Sequence, residues 1–278
     1  MRSTLLYILC FFALTAMGQK HLTVLHTNDT HSCVMPLNPN LADTAIADRG
    51  GYLRRINMIK QERQSDPQLL LLDSGDFSQG SPYYSLFKGD VEVGLMNQMK
   101  YDAATIGNHE FDFGLENMAR IFRLAKFPIV CSNYDFTGTP VEGTVKRYIT
   151  LKRKGVKIGI FGICTQLEGL VTKANCEGVK FLDPVKTAQE MADLLRNKEK
   201  CDVVICLSHL GWDIDGCDDT ELVPSTRNID LVLGAHSHTY FHKLEQLPNL
   251  DGKLIGIDQN GKSAIWVGKL VLDINARK

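Results

Sequence analysis

Leu22-Thr23-Val24-Leu25-His26-Thr27-Asn28-Asp29-Thr30-His31 is an apolar run that ends in two residues able to bind a metal. Its first part, Leu22–His26, reads as a buried strand. The same arrangement returns four more times. Leu69–Asp73 runs into Ser74-Gly75-Asp76, and Ala103–Ile106 into Asn108-His109-Glu110. Val203–Leu207 runs into Ser208-His209-Leu210, and Leu231–Gly234 into His236-Ser237-His238. Ligands of open α/β sheets bind beyond the carboxyl ends of the strands. Five strand ends therefore bring carboxylate, amide and imidazole to one rim, which describes a metal site and a two-metal hydrolase.

Outward from these runs the pattern alternates between strand and helix. A helix is expected from Gly51 to Gln64, with Leu53, Ile56 and Ile59–Lys60 at helical spacing. A Gly/Ser/Pro-rich loop then reaches Gly89, followed by helices near Val91–Met99 and Leu115–Ala125 and a strand at Ile129–Ser132. Arg147–Leu151 and Val156–Ile163 form a hairpin tipped by Lys152-Arg153-Lys154-Gly155. Pro184 opens a helix to about Lys198, with Asp183 as N-cap. Asp213–Glu221 reads as a solvated acidic loop. Lys253–Ile274 reads as two antiparallel strands around Gln259-Asn260-Gly261-Lys262, with Asn-Gly as the turn. Parallel units mixed with hairpins suggest two sheets packed face to face with helices outside.

The 278 residues suit one large domain, and an apolar fraction of 44% with 23% charged is ordinary for a globular chain. Lys and Arg (31) balance Asp and Glu (32), so no bulk field suggests nucleic acid. Arg2, the apolar stretch Leu5–Ala16 and Ala16-Met17-Gly18 form an export signal, with cleavage expected after Gly18. The mature domain then runs over 19–278, periplasmic or extracellular, with no stable membrane span. Cys131, Cys164 and Cys206 fall in apolar runs that suit buried thiols, while Cys176 and Cys217 lie in polar segments and are the pair open to bridging. Asn28-Asp29-Thr30 matches a glycosylation acceptor but falls inside the expected cleft.

Asp29 and His31 are spaced i, i+2, as are His236 and His238, so in extended backbone each pair faces one way and could grip one ion. Asp76 can bridge two cations, Asn108 offers an amide oxygen and His209 an imidazole. Mixed N/O ligands without thiolate suit Zn, Mn or Fe, and two such ions carry surplus positive charge for a phosphate. His109 follows Asn108 and should point away from that ligand toward substrate. Asp112, three residues on, could hold its second nitrogen, so His109 reads as transition-state stabiliser or general acid. Phe77, Tyr83, Tyr84 and Phe87 follow Asp76, where they either touch a leaving group or pack the loop.

Thr27-Asn28-Asp29-Thr30-His31, Gly75-Asp76-Phe77-Ser78-Gln79-Gly80 and Gly107-Asn108-His109-Glu110-Phe111-Asp112 resemble motifs of the calcineurin-like metallophosphoesterases, as do Ser208-His209-Leu210-Gly211 and Gly234-Ala235-His236-Ser237-His238-Thr239. Within that family the likeness is to the catalytic domain of secreted 5′-nucleotidases and UDP-sugar hydrolases. The resemblance implies a four-layer αββα sandwich of two mixed β-sheets. It implies one metal held by Asp29, His31, Asp76 and His238, another by Asp76, Asn108, His209 and His236, and a catalytic dyad of His109 and Asp112. The implied substrates are nucleoside 5′-monophosphates. Cyclic nucleotides, nucleotide-sugar diphosphates, sulfur esters and a non-catalytic subunit are the alternatives. Members of that group usually carry a C-terminal nucleoside-binding domain, whereas this chain stops after Ile265–Ile274. A separate nucleoside-binding protein or a different phosphate ester is therefore part of the expectation.

Overall fold

The structure, a computed structural model, describes residues 20–274. The export signal read over residues 1–18 and the expected start at Gln19 lie outside the described residues. The first sheet has the order β14 (Gly268–Ile274), β1 (Lys20–Thr27), β2 (Leu70–Asp73), β3 (Ala103–Ala104), β4 (Ile129–Val130) and β6 (Val145–Lys146). The second has the order β12 (Glu245–Pro248), β13 (Leu254–Asp258), β11 (Leu231–Leu233), β10 (Val203–His209), β8 (Val156–Cys164) and β7 (Tyr148–Arg153). A small ribbon pairs β5 (Tyr134–Asp135) with β9 (Lys180–Phe181). Both large sheets are mixed. β14 is antiparallel to β1, and β7 and β12 are antiparallel to β8 and β13, while the central strands run parallel.

Side chains alternate faces along a strand, and that alternation builds the layers. Leu22, Val24, Leu70 and Leu72 meet Ile158, Ile160, Ile205 and Leu207 in a core between the sheets. Their neighbours Leu25 and Leu71 turn outward to pack under α1 (Tyr52–Ser65), α3 (Asp90–Met99) and α4 (Gly114–Leu124). Phe161, Ile163, Val204 and Cys206 turn outward on the other side, under α5 (Pro184–Asp193) and α6 (Asp219–Leu222). A short helix α2 (Pro82–Phe87) lies before α3. The result is the four-layer αββα arrangement of two mixed sheets.

The Arg147–Ile163 hairpin forms as expected, with Lys154 and Gly155 at positive φ making a two-residue turn. Asp183 caps α5 by accepting from the Lys186 N–H at 2.8 Å. Four local expectations fail. The Gly/Ser/Pro-rich loop contains α2, because Ser81 accepts from Tyr83 N and Pro82 opens the first turn. Leu53 is not on the buried face of α1; it is 65% exposed, and Tyr52, Arg55, Ile56 and Ile59 take that face. Lys253–Ile274 is not a hairpin: β13 and β14 belong to different sheets. Their connection is held by the buried Asn28 amide, whose Oδ1 accepts from Asn260 N at 2.9 Å and whose Nδ2 donates to Gly261 O at 2.8 Å. The acidic loop is not uniformly solvated, since Asp218 caps α6 and Asp219 is fully buried. Cys176 and Cys217 are free thiols that pack against different cores, so the possible bridge is absent.

Candidate metal centre and acid–base dyad

The carboxyl ends of β1, β2 and β10 project Asp29, His31, Asp76 and His209 to one rim. The turns after β3 and β11 add Asn108, His109, His236 and His238. Five of these residues, Asp29, His31, Asp76, His236 and His238, have positive φ between 44° and 73°. The extended geometry assumed for the two i, i+2 pairs is therefore wrong. Left-handed backbone at a non-glycine residue carries strain and is held only by its surroundings. Here Asp29 N donates to Gly75 O and His31 N to Asp76 O, both at 3.0 Å, which braids the β1 loop onto the β2 loop. At Gly75, φ is 91° and an added Cβ would stand 2.6 Å from Gly107 N, so only glycine lets the β2 and β3 loops approach.

The twist separates His236 from His238. Ligand atoms of Asp29, His31 and His238 lie within 4.8 Å of one another, and so do those of Asp76, His209 and His236. His236 and His238 as a pair gripping one ion is thus not what the backbone allows. A further cluster at the same spacing joins His31, Asp76 and His109. His31 Nε2 and His238 Nε2 are 2.9 Å apart, and His209 Nε2 stands 3.3 Å from Asp76 Oδ2. Asn108 is 7% exposed, with its Oδ1 buried.

The electrostatics of the rim call for a cation. Burial lowers the pKa of His31 and His236 to about 4, which keeps their lone pairs free. Burial pushes Asp29 upward. Burial opposes charge on Asp76 and His209 too, but their mutual attraction overrides it, holding Asp76 low and raising His209 to about 10. His209 Nδ1 lies 2.7 Å from Ser74 O, so that nitrogen carries a proton and Nε2 faces Asp76. Buried His31 Nδ1 and Asn108 Oδ1 have no hydrogen-bond partner, and His209 Nε2 meets only the Asp76 carboxylate, at 3.3 Å. Unpaired buried polar atoms are costly. Beside two buried carboxylates, they fit divalent cations of the borderline N/O class.

His109 occupies one turn of 3₁₀ helix, His109–Phe111. Its N–H donates to Asp76 Oδ1 at 2.9 Å, and its Nδ1 lies 3.1 Å from Asp112 Oδ2. Burial would lower its pKa, but the Asp112 hydrogen bond and the Asp76 charge outweigh that and raise it. His31, His109 and His238 border a cleft of about 520 Å³, whose other walls include Met35, Tyr83 and Lys262. Of the aromatic residues after Asp76, Phe77 and Tyr84 are buried, Phe87 is 49% exposed and Tyr83 lines the cleft. Asn28 is 3% exposed, in keeping with the discounted glycosylation site.

The sequence reading passed over the supports. Buried Glu110 accepts from Gly107 N, Asp76 N and Ser78 N at 2.6, 3.0 and 3.0 Å. Gln259 Oε1 accepts from Thr239 N at 2.6 Å and from the Ser237 hydroxyl at 3.0 Å, while Nε2 donates to Ala235 O at 3.0 Å. Asp219 accepts from the Ser208 hydroxyl. Glu110 stands inside a recognised motif and was open to notice there; Gln259 and Asp219 carry no local pattern that marks them.

Residues 22–240 match the calcineurin-like phosphoesterase family, and the chain belongs to it. It is 31% identical over 270 residues to the trifunctional nucleotide phosphoesterase protein YfkN of Bacillus subtilis, covering 86% of this chain and 17% of that protein. It is 31% identical over 246 residues to a human 5′-nucleotidase, covering 86% of this chain and 42% of the relative. The chain thus spans less than half the length of these curated relatives. Among solved structures, the Haemophilus influenzae NAD nucleotidase superposes with a TM-score of 0.80 at 26% identity, over 91% of this chain and 47% of that one. The Bacillus and human relatives are a nucleotide phosphoesterase and a 5′-nucleotidase, and the metallophosphoesterase fold implies divalent metal, for which the grouped residues of this rim are the candidate ligands.

Proposed function

We propose that this member of the calcineurin-like phosphoesterases is an exported, dinuclear phosphomonoesterase acting on nucleoside 5′-monophosphates. One set of ligands is Asp29, His31, Asp76 and His238; the other is Asp76, Asn108, His209 and His236. The observation that carries the reading is the convergence of two unpartnered buried atoms, on His31 and Asn108, with the His209–Asp76 pair and the Asp29 carboxyl. Metals bound there supply an activated water and positive charge for the phosphate. The chain's own part is acid–base. Asp112 orients the His109 ring through Nδ1, leaving Nε2 to deliver a proton to the departing oxygen. The cleft beside His109 is large enough for a leaving group of nucleoside size, with Tyr83 and Met35 as its apolar wall. Support for nucleotide substrates comes from the names of the relatives, and for export from Arg2, Leu5–Ala16 and Ala16-Met17-Gly18. Among the described residues no helix is long and apolar enough to cross a membrane.

The test is His109→Ala, with metal content measured beside turnover. Metal content should stay at the parent level while hydrolysis of AMP falls on the order of 10²–10⁴-fold. An aryl phosphate with a good leaving group needs little protonation and should lose much less. Equal losses on both substrates would remove the acid role; loss of metal would make His109 a ligand.

A further inference from the structure

On the outer side of β1, α1 and the chain just before β14 enclose a second cavity of about 510 Å³, lined by none of the candidate metal ligands. Its apolar wall includes Leu25, Met58 and Trp266. Its charged residues are Asp48, Arg49, Arg54, Arg55, Glu62 and Lys269. Two ion pairs consume both acids: Arg54 binds Asp48 at 3.1 Å and Lys269 binds Glu62 at 2.7 Å. No lining carboxylate remains for Arg49 and Arg55.

Arg55 is the unusual group. Its residue is 4% exposed, and Nε, Nη1 and Nη2 all lack a hydrogen-bond partner. The guanidinium lies over the Tyr52 ring at 5.4 Å, and the Tyr101 hydroxyl is near enough to act on it as a weak acceptor, outside good hydrogen-bond geometry. Asp73, a buried acid close enough to interact with Arg55, already accepts from the Thr27 hydroxyl and from Gly75 N. Buried guanidinium groups usually meet acceptors, because the fork of N–H donors is costly to leave unmade. Arg49 lies over the Trp266 ring at 5.4 Å, and the other face of that wall is braced by Tyr240, stacked on Trp266 at 4.7 Å.

We propose that this cavity binds an oxyanion, phosphate or carboxylate, carried on an apolar or aromatic body. Arg55 and Arg49 take the anion, and Trp266 with Met58 takes the body. Guanidinium forks match both oxyanions in two-point geometry. The site is separate from the phosphoesterase centre, and its occupancy does not depend on metal.

The chain contains two tryptophans, Trp212 and Trp266, so a Trp212→Phe protein reports on the cavity through Trp266 fluorescence. Trp212 lies elsewhere, packed on Phe241 at 5.0 Å. The probe is phenylphosphonate, titrated with and without metal-stripping chelator. Saturable change in Trp266 emission is expected in both conditions. Arg49→Ala and Arg55→Lys should each raise the apparent Kd roughly tenfold or more, whereas Arg54→Ala, already paired to Asp48, should change it little. Benzoate in place of phenylphosphonate separates a general oxyanion site from a phosphate-selective one, and either result supports binding. Because Arg55→Lys could disturb folding, Arg49→Ala, a change on the cavity's outer wall, carries the decision. Absence of saturation, equal Kd in parent and Arg49→Ala, or a signal that vanishes with chelator would each overturn the proposal.

Discussion

The loop after β2 and the loop after β11 carry ligands to the same rim, yet they are anchored by opposite means. The Asp76 loop closes on a buried carboxylate, Glu110, which gathers three backbone N–H groups. The His236–His238 loop closes on a neutral amide, Gln259, and leaves the His238 side chain 34% exposed. Both loops hold residues at positive φ, so both store strain. The difference lies in what each can give up. An acid binding three donors in a dry interior is expensive to replace, whereas Gln259, equally buried, is neutral and closes a loop whose Ser237–Thr239 segment is part-exposed. The proposed bridge, Asp76, sits on the stiff side, and the proposed outer ligand, His238, on the softer one.

Glu110→Gln tests the stiff side and should have the largest effect. Burial and the Asp76 charge push the Glu110 pKa up, while the backbone N–H groups of Gly107 and Ser78 favour the ionised form. An amide replaces one acceptor oxygen with a donor aimed at an N–H. That leaves buried groups unpaired at about 1–3 kcal/mol each. Denaturant unfolding should show a loss of that size, with both metals held more weakly because Asp76 moves with its loop. Stability within about 0.5 kcal/mol of the parent would mean the carboxylate is no anchor.

Gln259→Ala tests the softer side. It frees Thr239 N and the buried Ala235 O and removes one of the Ser237 hydroxyl's partners; water can reach the part-exposed Ser237 and Thr239 but not Ala235. The expected cost is about 1 kcal/mol of stability. Support for ligand loops typically alters metal affinity about 10–100-fold. Here the loss should fall mainly on one of two equivalents, the one assigned to His238. Weakening of both equivalents alike, followed by competition with a chelator, would erase the contrast between the loops.

These anchors also mark how far the sequence could be read. The strand cores were legible because Leu22, Val24, Leu70, Leu72 and their counterparts alternate with outward residues, a period that needs no tertiary context. The candidate ligands were legible because each follows such a run. Their sharing was not. The i, i+2 rule assumes extended backbone, and the positive φ at His236 and His238 turns the two imidazoles toward different clusters. The Asn260-Gly261 step has hairpin chemistry but serves a crossover. β14 finds its partner in β1, with Leu270 opposite Val24, some 250 residues away in sequence. Local turn preference cannot see that pairing. Asp219 was assigned to solvent because its neighbours are acidic, yet Ser208 and the end of β10 enclose it.

Asp219 supplies the smallest effect on turnover and the finest test of the comparison, since it supports the second sheet's rim without touching a proposed ligand. Burial raises its pKa from 3.8 to about 7, against the pull of the Ser208 hydrogen bond, and its Oδ2 has no partner. A carboxyl with a raised folded pKa favours the native state fully below its unfolded value. That contribution is lost as pH climbs through the folded value. Asp219→Asn keeps a neutral acceptor for the Ser208 hydroxyl at every pH. Relative to the parent, its Tm should therefore rise between pH 4 and pH 7, while turnover and metal content stay near the parent values. Other buried acids titrate in both proteins and cancel in the difference, provided that they do not couple to Asp219. Parallel Tm curves across that range would show that Asp219 ionises in the fold as readily as in the unfolded chain. The second sheet's rim, like the first, would then rest on a charged anchor.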